Sequence, residues 1–297
     1  MKMPTTWEGW ASRVSLYVRE GKKLLGEPRF PIRIAEIAQD YSRNVFPVDP
    51  IVHVEGNDFA GKFEGALVPN ESKQWAIFYD TGHTSKGRIN FTMAHELGHY
   101  LVHRHLSGEP FYCSRRDMWA WSSEYGRMEA EANSFAAFVL MPPDDFREQT
   151  HDFLKPTLAQ FEVLRDRYEV SLTAVVLNWL KTTKRRAMLV VSKDGFIDWS
   201  WGSEPLYASG VFFKAKQITT PVPDRSLAAL GSAAGVTEIQ HPAGVWNRRE
   251  PVVESVVFSE YHDMTLSLLI FPAHGHVSAS SGYEGDELMD TFEAFRR

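Results

Sequence analysis

His95-Glu96-Leu97-Gly98-His99 is the segment of this chain whose residue types and spacing can do chemistry. Side chains four apart share one face of a helix. His95 and His99 can therefore aim two imidazoles at one metal ion. Glu96, one residue after the first, is close enough to reach a water on that ion. Two ligands and a general base on one helix is the arrangement of zinc peptidases. In that chemistry the ion is a Lewis acid, and Glu96 takes a proton from water and returns it to the leaving amine.

Two histidines leave one protein ligand to be found. Glu129, with Asn133 one turn later, offers a carboxylate from a second helix. Asn133 would then hold a ligand histidine in one tautomer by a hydrogen bond. His105 is the rival, because His95, His99 and His105 fit the longer metzincin spacing. That pattern turns out of the helix at a glycine, and this chain has Val102 there. Continued helix would carry His105 past the metal, so Glu129 is preferred. Glu131, two residues from Glu129, is expected to face away as a solvated carboxylate, and His103 to sit at the rim of the cleft. Tyr100, Tyr112, His103, His105 and Tyr125 are all candidates to stabilise the oxyanion. The strand Gln74–Tyr79 is a candidate edge for pairing with extended substrate. Cys113 is read as a bystander thiol, with a latency role on the metal as its alternative.

These residues need elements to hold them. Trp7, Trp10, Val14 and Val18 recur at helical spacing, and the helix they predict ends near Gly26. Pro31 opens a second helix with Ile34, Ile37, Ala38 and Tyr41 on one side. The period then changes, and Val52–Glu55, Gly65–Val68 and Gln74–Tyr79 read as strands. The metal helix is expected from about Arg88 to His103, and its partner from Ser123 to Leu140, stopped by Pro142-Pro143. Leu158, Phe161, Leu164 and Tyr168 predict another helix, and Ser171 caps the next. From Ala187 onward the chain reads as strands at 187–191, 211–215, 252–258 and 266–271. Helices are expected at 226–234 and 286–295.

Composition sets the outer limits. The chain has 297 residues, which asks for two or three units. With 43% hydrophobic and 24% charged residues it has the make-up of a globular protein. A net charge of −6 does not suit a strongly basic nucleic-acid binder. One cysteine excludes an internal disulfide and points to a reducing compartment. No apolar leader and no run long enough to span a membrane is visible, so the expected location is the cytoplasm.

The stretch Phe91–His103, with Glu129–Pro142 and Phe63–Leu67, resembles the ImmA/IrrE family of bacterial metallopeptidases. Asn90 is one departure, because the family usually has Arg there. The resemblance implies that His95, His99 and Glu129 bind zinc, or manganese in its place, and that Glu96 is catalytic. It implies a protein substrate, a helix-turn-helix repressor whose cleavage switches on stress-response or mobile-element genes. Ser209–Val211, Pro221–Asp224 and Ala228-Ala229 are similar to the GAF-like domain of the longer, IrrE-like members, where a small-molecule or stress signal would act.

The expected fold class is therefore α+β. A minimal zincin-like peptidase domain is assigned to residues 1–150 and a short helical, helix-turn-helix-like region to 151–184. A C-terminal α/β GAF-like domain is assigned to 185–297. The charge on 158–181 is mixed, so direct DNA binding is not expected. The rival function is a DNA-binding or ligand-sensing regulator with a structural or latent metal site. A structural zinc site would need a fourth protein ligand and would leave Glu96 without a role.

Overall fold

A computed structural model describes residues 3–60, 62–82, 85–106, 111–113, 124–213, 219–231, 235–259 and 263–273. The fold is α+β, and the chain gathers into two compact units. The first comprises Met1–His151 with Leu164–Ala174, and the second Asp152–Val163 with Val175–Arg297.

In the first unit, α1 (Trp7–Leu25) starts at Thr6, whose hydroxyl accepts from the Gly9 amide. It stops at Gly26, whose φ of 67° suits glycine best. Its apolar face, Trp10, Ala11, Val14 and Val18, is buried. Helix α2 (Ile34–Val45) buries Ile34, Ile37, Ala38 and Tyr41. Strands β1 (Ile51–Asn57), β2 (Gly65–Pro69) and β3 (Trp75–Asp80) follow. Helix α3 (Lys86–Gly98) runs into a π-helical turn, His99–His103. Beyond lie β4 (Phe111–Cys113), α4 (Glu124–Leu140) and α5 (Pro143–Thr150).

The sheet order is β1-β3-β2-β4, with β1 parallel to β3 and the other pairs antiparallel. This corrects the reading of Gln74–Tyr79 as a free edge. Strand β3 bonds on both sides, so its backbone donors and acceptors are already used. The edges among the described residues are β1 and β4. The metal helix is also shorter in α-form than expected, because its last turn is π.

Helices α6 (Leu158–Tyr168) and α7 (Leu172–Thr182) are each shared between the units. The Ser171 hydroxyl accepts from the Ala174 amide and caps α7. In the second unit, the Leu158 amide donates to Ser255 Oγ, and Phe161 meets Trp179 edge-on at 5.3 Å. The remaining elements are β5 (Ala187–Lys193), β6 (Phe196–Gly202), α8 (Glu204–Ala208), β7 (Thr220–Pro221), α9 (Leu227–Leu230), β8 (Glu238–His241), β9 (Val252–Ser259) and β10 (Met264–Ile270).

Among the described residues of this unit, six strands form an antiparallel sheet in the order β7-β6-β5-β10-β9-β8. One core gathers Met188, Val190, Ile197, Leu206, Trp246 and Leu269. Val211–Phe213 is not in a strand, contrary to expectation; it leaves α8 through the turn at Gly210. The expected terminal helix at 286–295 lies outside the described residues, as do 214–215 and 232–234.

Within this apolar sheet stands one buried carboxylate, Glu254 on β9. It accepts from His241 Nε2 at 2.7 Å, Leu227 N at 2.8 Å, Ser267 Oγ at 2.9 Å, Trp246 Nε1 at 3.0 Å and Ala228 N at 3.2 Å. Donors on β8, β10, α9 and the 241–252 connection thus converge on one side chain. No helix among the described residues is long and apolar enough to cross a membrane.

Candidate metal centre

Glycines set how closely the site's elements approach. A Cβ at Gly98 would stand 3.2 Å from Ala132 Cα and 3.1 Å from Phe135 Cδ1, so its absence lets α3 cross α4 in near backbone contact. That crossing brings Glu129, one turn before Ala132, beside the histidines. At the other end of α3, a Cβ on Gly87 would collide with the Val170 backbone at 2.5 Å. Asn90 nearby is buried and donates to the Glu169 carbonyl.

His95, His99 and Glu129 converge. His95 Nε2 and His99 Nε2 lie 3.0 Å apart. Glu129 Oε2 is 3.3 Å from the first, and its Oε1 is 3.1 Å from the second. One ligand atom from each falls within 4.8 Å of the others, so the group could hold a metal ion. All three side chains are buried. The donor set, two imidazoles and one carboxylate, is that of catalytic zinc sites, which keep a fourth position for water. His95 Nδ1 lies 3.0 Å from Asn133 Oδ1; an amide oxygen only accepts, so this nitrogen carries the proton and Nε2 keeps its lone pair. The residues present fit a divalent ion.

The electrostatics of the bare group are strained by burial. Burial holds His99 down to about 4, with the His95 and His103 rings adding to it and Glu129 opposing. Burial also lowers His95, but Glu129's hydrogen bond and charge, with the charge of Glu96, more than reverse this and leave it raised. Burial raises Glu129, and the adjacent His95 and His99 rings outweigh that and pull it well below the usual carboxylate range. The Glu129 carboxylate therefore stays ionised within the group.

Glu96 is fully buried beside this group. Strand β2 passes directly over it: a Cβ on Gly65 would lie 2.7 Å from Glu96 Oε1 and 2.5 Å from Thr92 Cγ2. Any larger residue at 65 would push the carboxylate aside.

The other predicted residues divide. Tyr100 points away from the group: its hydroxyl donates to the Asp49 carbonyl at 2.8 Å, and its ring packs on Phe46 and Trp75. Burial raises its pKa. It is removed as an oxyanion candidate because it stands about 100° around the helix from His99. His103 is no rim residue; it is 1% exposed, with Nδ1 3.1 Å from His99 Nδ1 and Nε2 3.0 Å from Glu131 Oε2. Its two nitrogens are thus engaged. Glu131 is correspondingly not a solvated carboxylate, since the His103 ring bridges to it. His105 is exposed and stands outside the metal group. Tyr125 is half-buried, one turn before Glu129 on α4. The side chains of Tyr112 and Cys113 lie outside the described residues.

Sequence reasoning did not find the role of Gly65 or the pairing of His103 with Glu131. A glycine opening an apolar strand was the signal for the first. A third histidine at helical spacing, four residues after His99, was the signal for the second.

No curated protein matches the chain. A solved structure described as a Mycobacterium tuberculosis transcriptional regulator is similar over 87% of this chain and 76% of that one, at 13% identity and a TM-score of 0.49. The family model of the IrrE N-terminal-like domain matches residues 55–179, which include His95, Glu96, His99 and Glu129. The stretch 55–179 is thus similar to the IrrE N-terminal-like domain of the Peptidase M78 family.

Proposed function

We propose that this protein is a zinc-dependent endopeptidase that cuts a helix-turn-helix transcriptional repressor. The observation that carries the reading is the convergence of His95, His99 and Glu129 with buried Glu96 beside them. When bound, zinc (or manganese in its place) supplies Lewis acidity to a water and to the scissile carbonyl. His95, His99 and Glu129 hold the ion, and Asn133 holds His95 in the tautomer that can ligate. Glu96 accepts the water proton and passes it to the leaving amine. Gly65 keeps the space above the Glu96 carboxylate clear. Tyr125, on the face of α4 that carries Glu129, is the donor to the developing oxyanion.

The substrate class comes from the family resemblance. So does the role of the second unit, which we read as a GAF-like regulatory module receiving a small-molecule or stress signal. A lone cysteine is consistent with work in the reducing cytoplasm.

The test is direct. The purified chain, loaded with zinc or manganese, is incubated with the helix-turn-helix protein encoded beside it. Cleavage is expected, and Glu96→Gln should lower its rate by about 100-fold or more while zinc stays bound. A Glu96→Gln variant that cuts at the parent rate would falsify the mechanism. A zinc-loaded parent that leaves the repressor intact but binds operator DNA would favour the regulator reading instead.

A further inference from the structure

We infer that His103 and Glu131 form a two-residue relay that sets the tautomer of His99, making both of them positioning residues for the metal centre. The inference rests on the metal-site reading above and extends it by two side chains.

The direction of each hydrogen bond follows from the chemistry of its end group. Glu131 Oε2 lies 3.0 Å from His103 Nε2. An ionised carboxylate only accepts, so His103 Nε2 carries a hydrogen. The neutral ring then has its lone pair at Nδ1. His103 Nδ1 faces His99 Nδ1 at 3.1 Å, so His99 Nδ1 must be the donor. A neutral His99 with its hydrogen at Nδ1 has its lone pair at Nε2. That nitrogen is the one aimed at His95 Nε2 and Glu129. The carboxylate thus reaches the ion's position through two rings.

The local backbone builds this chain of bonds. The π turn His99–His103 closes with the Arg104 amide on the His99 carbonyl, and the His99 and His103 rings come to 5.1 Å between centroids. His99 and His103 are buried, so no bulk water competes for their inner bonds. Glu131 is 30% exposed at the outer end, with Arg127 3.8 Å away. The two ligand histidines are therefore oriented by different devices. His95 uses the single amide of Asn133, and His99 uses a ring and a carboxylate. Partners of this kind hold a ligand ring in register and raise its basicity.

The test uses zinc alone and the full chain. Zinc affinity is measured by competition with a chelating dye, and histidine tautomers are read from ring nitrogen shifts in the zinc-loaded protein. Glu131 is partly exposed, so Glu131→Ala should fold. It is expected to weaken zinc binding by about 10- to 100-fold and to free His103 between tautomers. Glu131→Gln keeps an accepting oxygen and should bind zinc close to the parent value. His103→Phe should resemble Glu131→Ala. An unchanged zinc affinity in Glu131→Ala overturns the relay, as does a parent His103 with its proton on Nδ1. A parent that binds no zinc overturns the metal reading as well.

Discussion

Glu129 and Glu254 are both buried glutamates beside histidine, one in each unit, and their surroundings differ in kind. Glu254 is ringed by five donors, two of them backbone amides, at 2.7–3.2 Å. Its charge is spread over hydrogen bonds that belong to four separate pieces of one unit. Glu129 instead meets two imidazole nitrogens that also face each other at 3.0 Å. That group gathers more lone pairs than protons. A buried carboxylate surrounded by donors is finished architecture. A buried carboxylate surrounded by ligating nitrogens could hold a cation.

The comparison predicts opposite responses to mutation and to metal. The largest effect is expected at Glu254. Glu254→Ala strands His241, Trp246, Ser267 and two amides, and should cost the second unit about 3–5 kcal/mol in urea unfolding. A loss below about 1 kcal/mol would erase the distinction between the two sites. Next comes the response to zinc. At about 100 times its dissociation constant, zinc should stabilise the first unit by about 2.7 kcal/mol. Glu129→Ala should abolish that gain, and Glu254→Ala should leave the zinc affinity unchanged.

A surface pair calibrates the small end of the scale. Arg29 grips Asp144 through two bonds of 2.7 and 3.1 Å, and its guanidinium holds the Asp144 carboxyl below 3.8. A depressed carboxylate stabilises the fold above its unfolded pKa and loses that contribution as pH falls through the folded value. Asp144 is 47% exposed, so solvent screens the pair. Asp144→Asn should cost about 0.5 kcal/mol at pH 7 and close to nothing at pH 2. A cost rivalling that of Glu254→Ala would mean that burial is not what separates these carboxylates.

Much of the metal centre was legible because it is local. His95, Glu96 and His99 share one helix, and the helical period alone aims the two imidazoles together. Glu129 and Asn133 are four apart on another, so one face carries both. Tyr100 was misread although the same period moves it about 100° from His99, into the core beside Phe46 and Trp75. Glu254 was passed over because Val252-Val253-Glu254-Ser255-Val256 reads as one apolar strand, and its partners come from distant segments. The strand at 196–202 was also missed, where aromatic residues alternate with Asp198 and Ser200.

By itself the sequence determined the candidate site residues and the helices and strands that carry most of them, because helical and strand periods act over a few residues. Only the tertiary structure decided which residues meet. It put β3 inside the sheet rather than at its edge, set Gly65 over Glu96, and turned His103 from the rim toward His99 and Glu131. Those outcomes depend on strand order and on close backbone approach at glycine. Neither is encoded in local spacing; both are settled when separate segments bury their surfaces against one another.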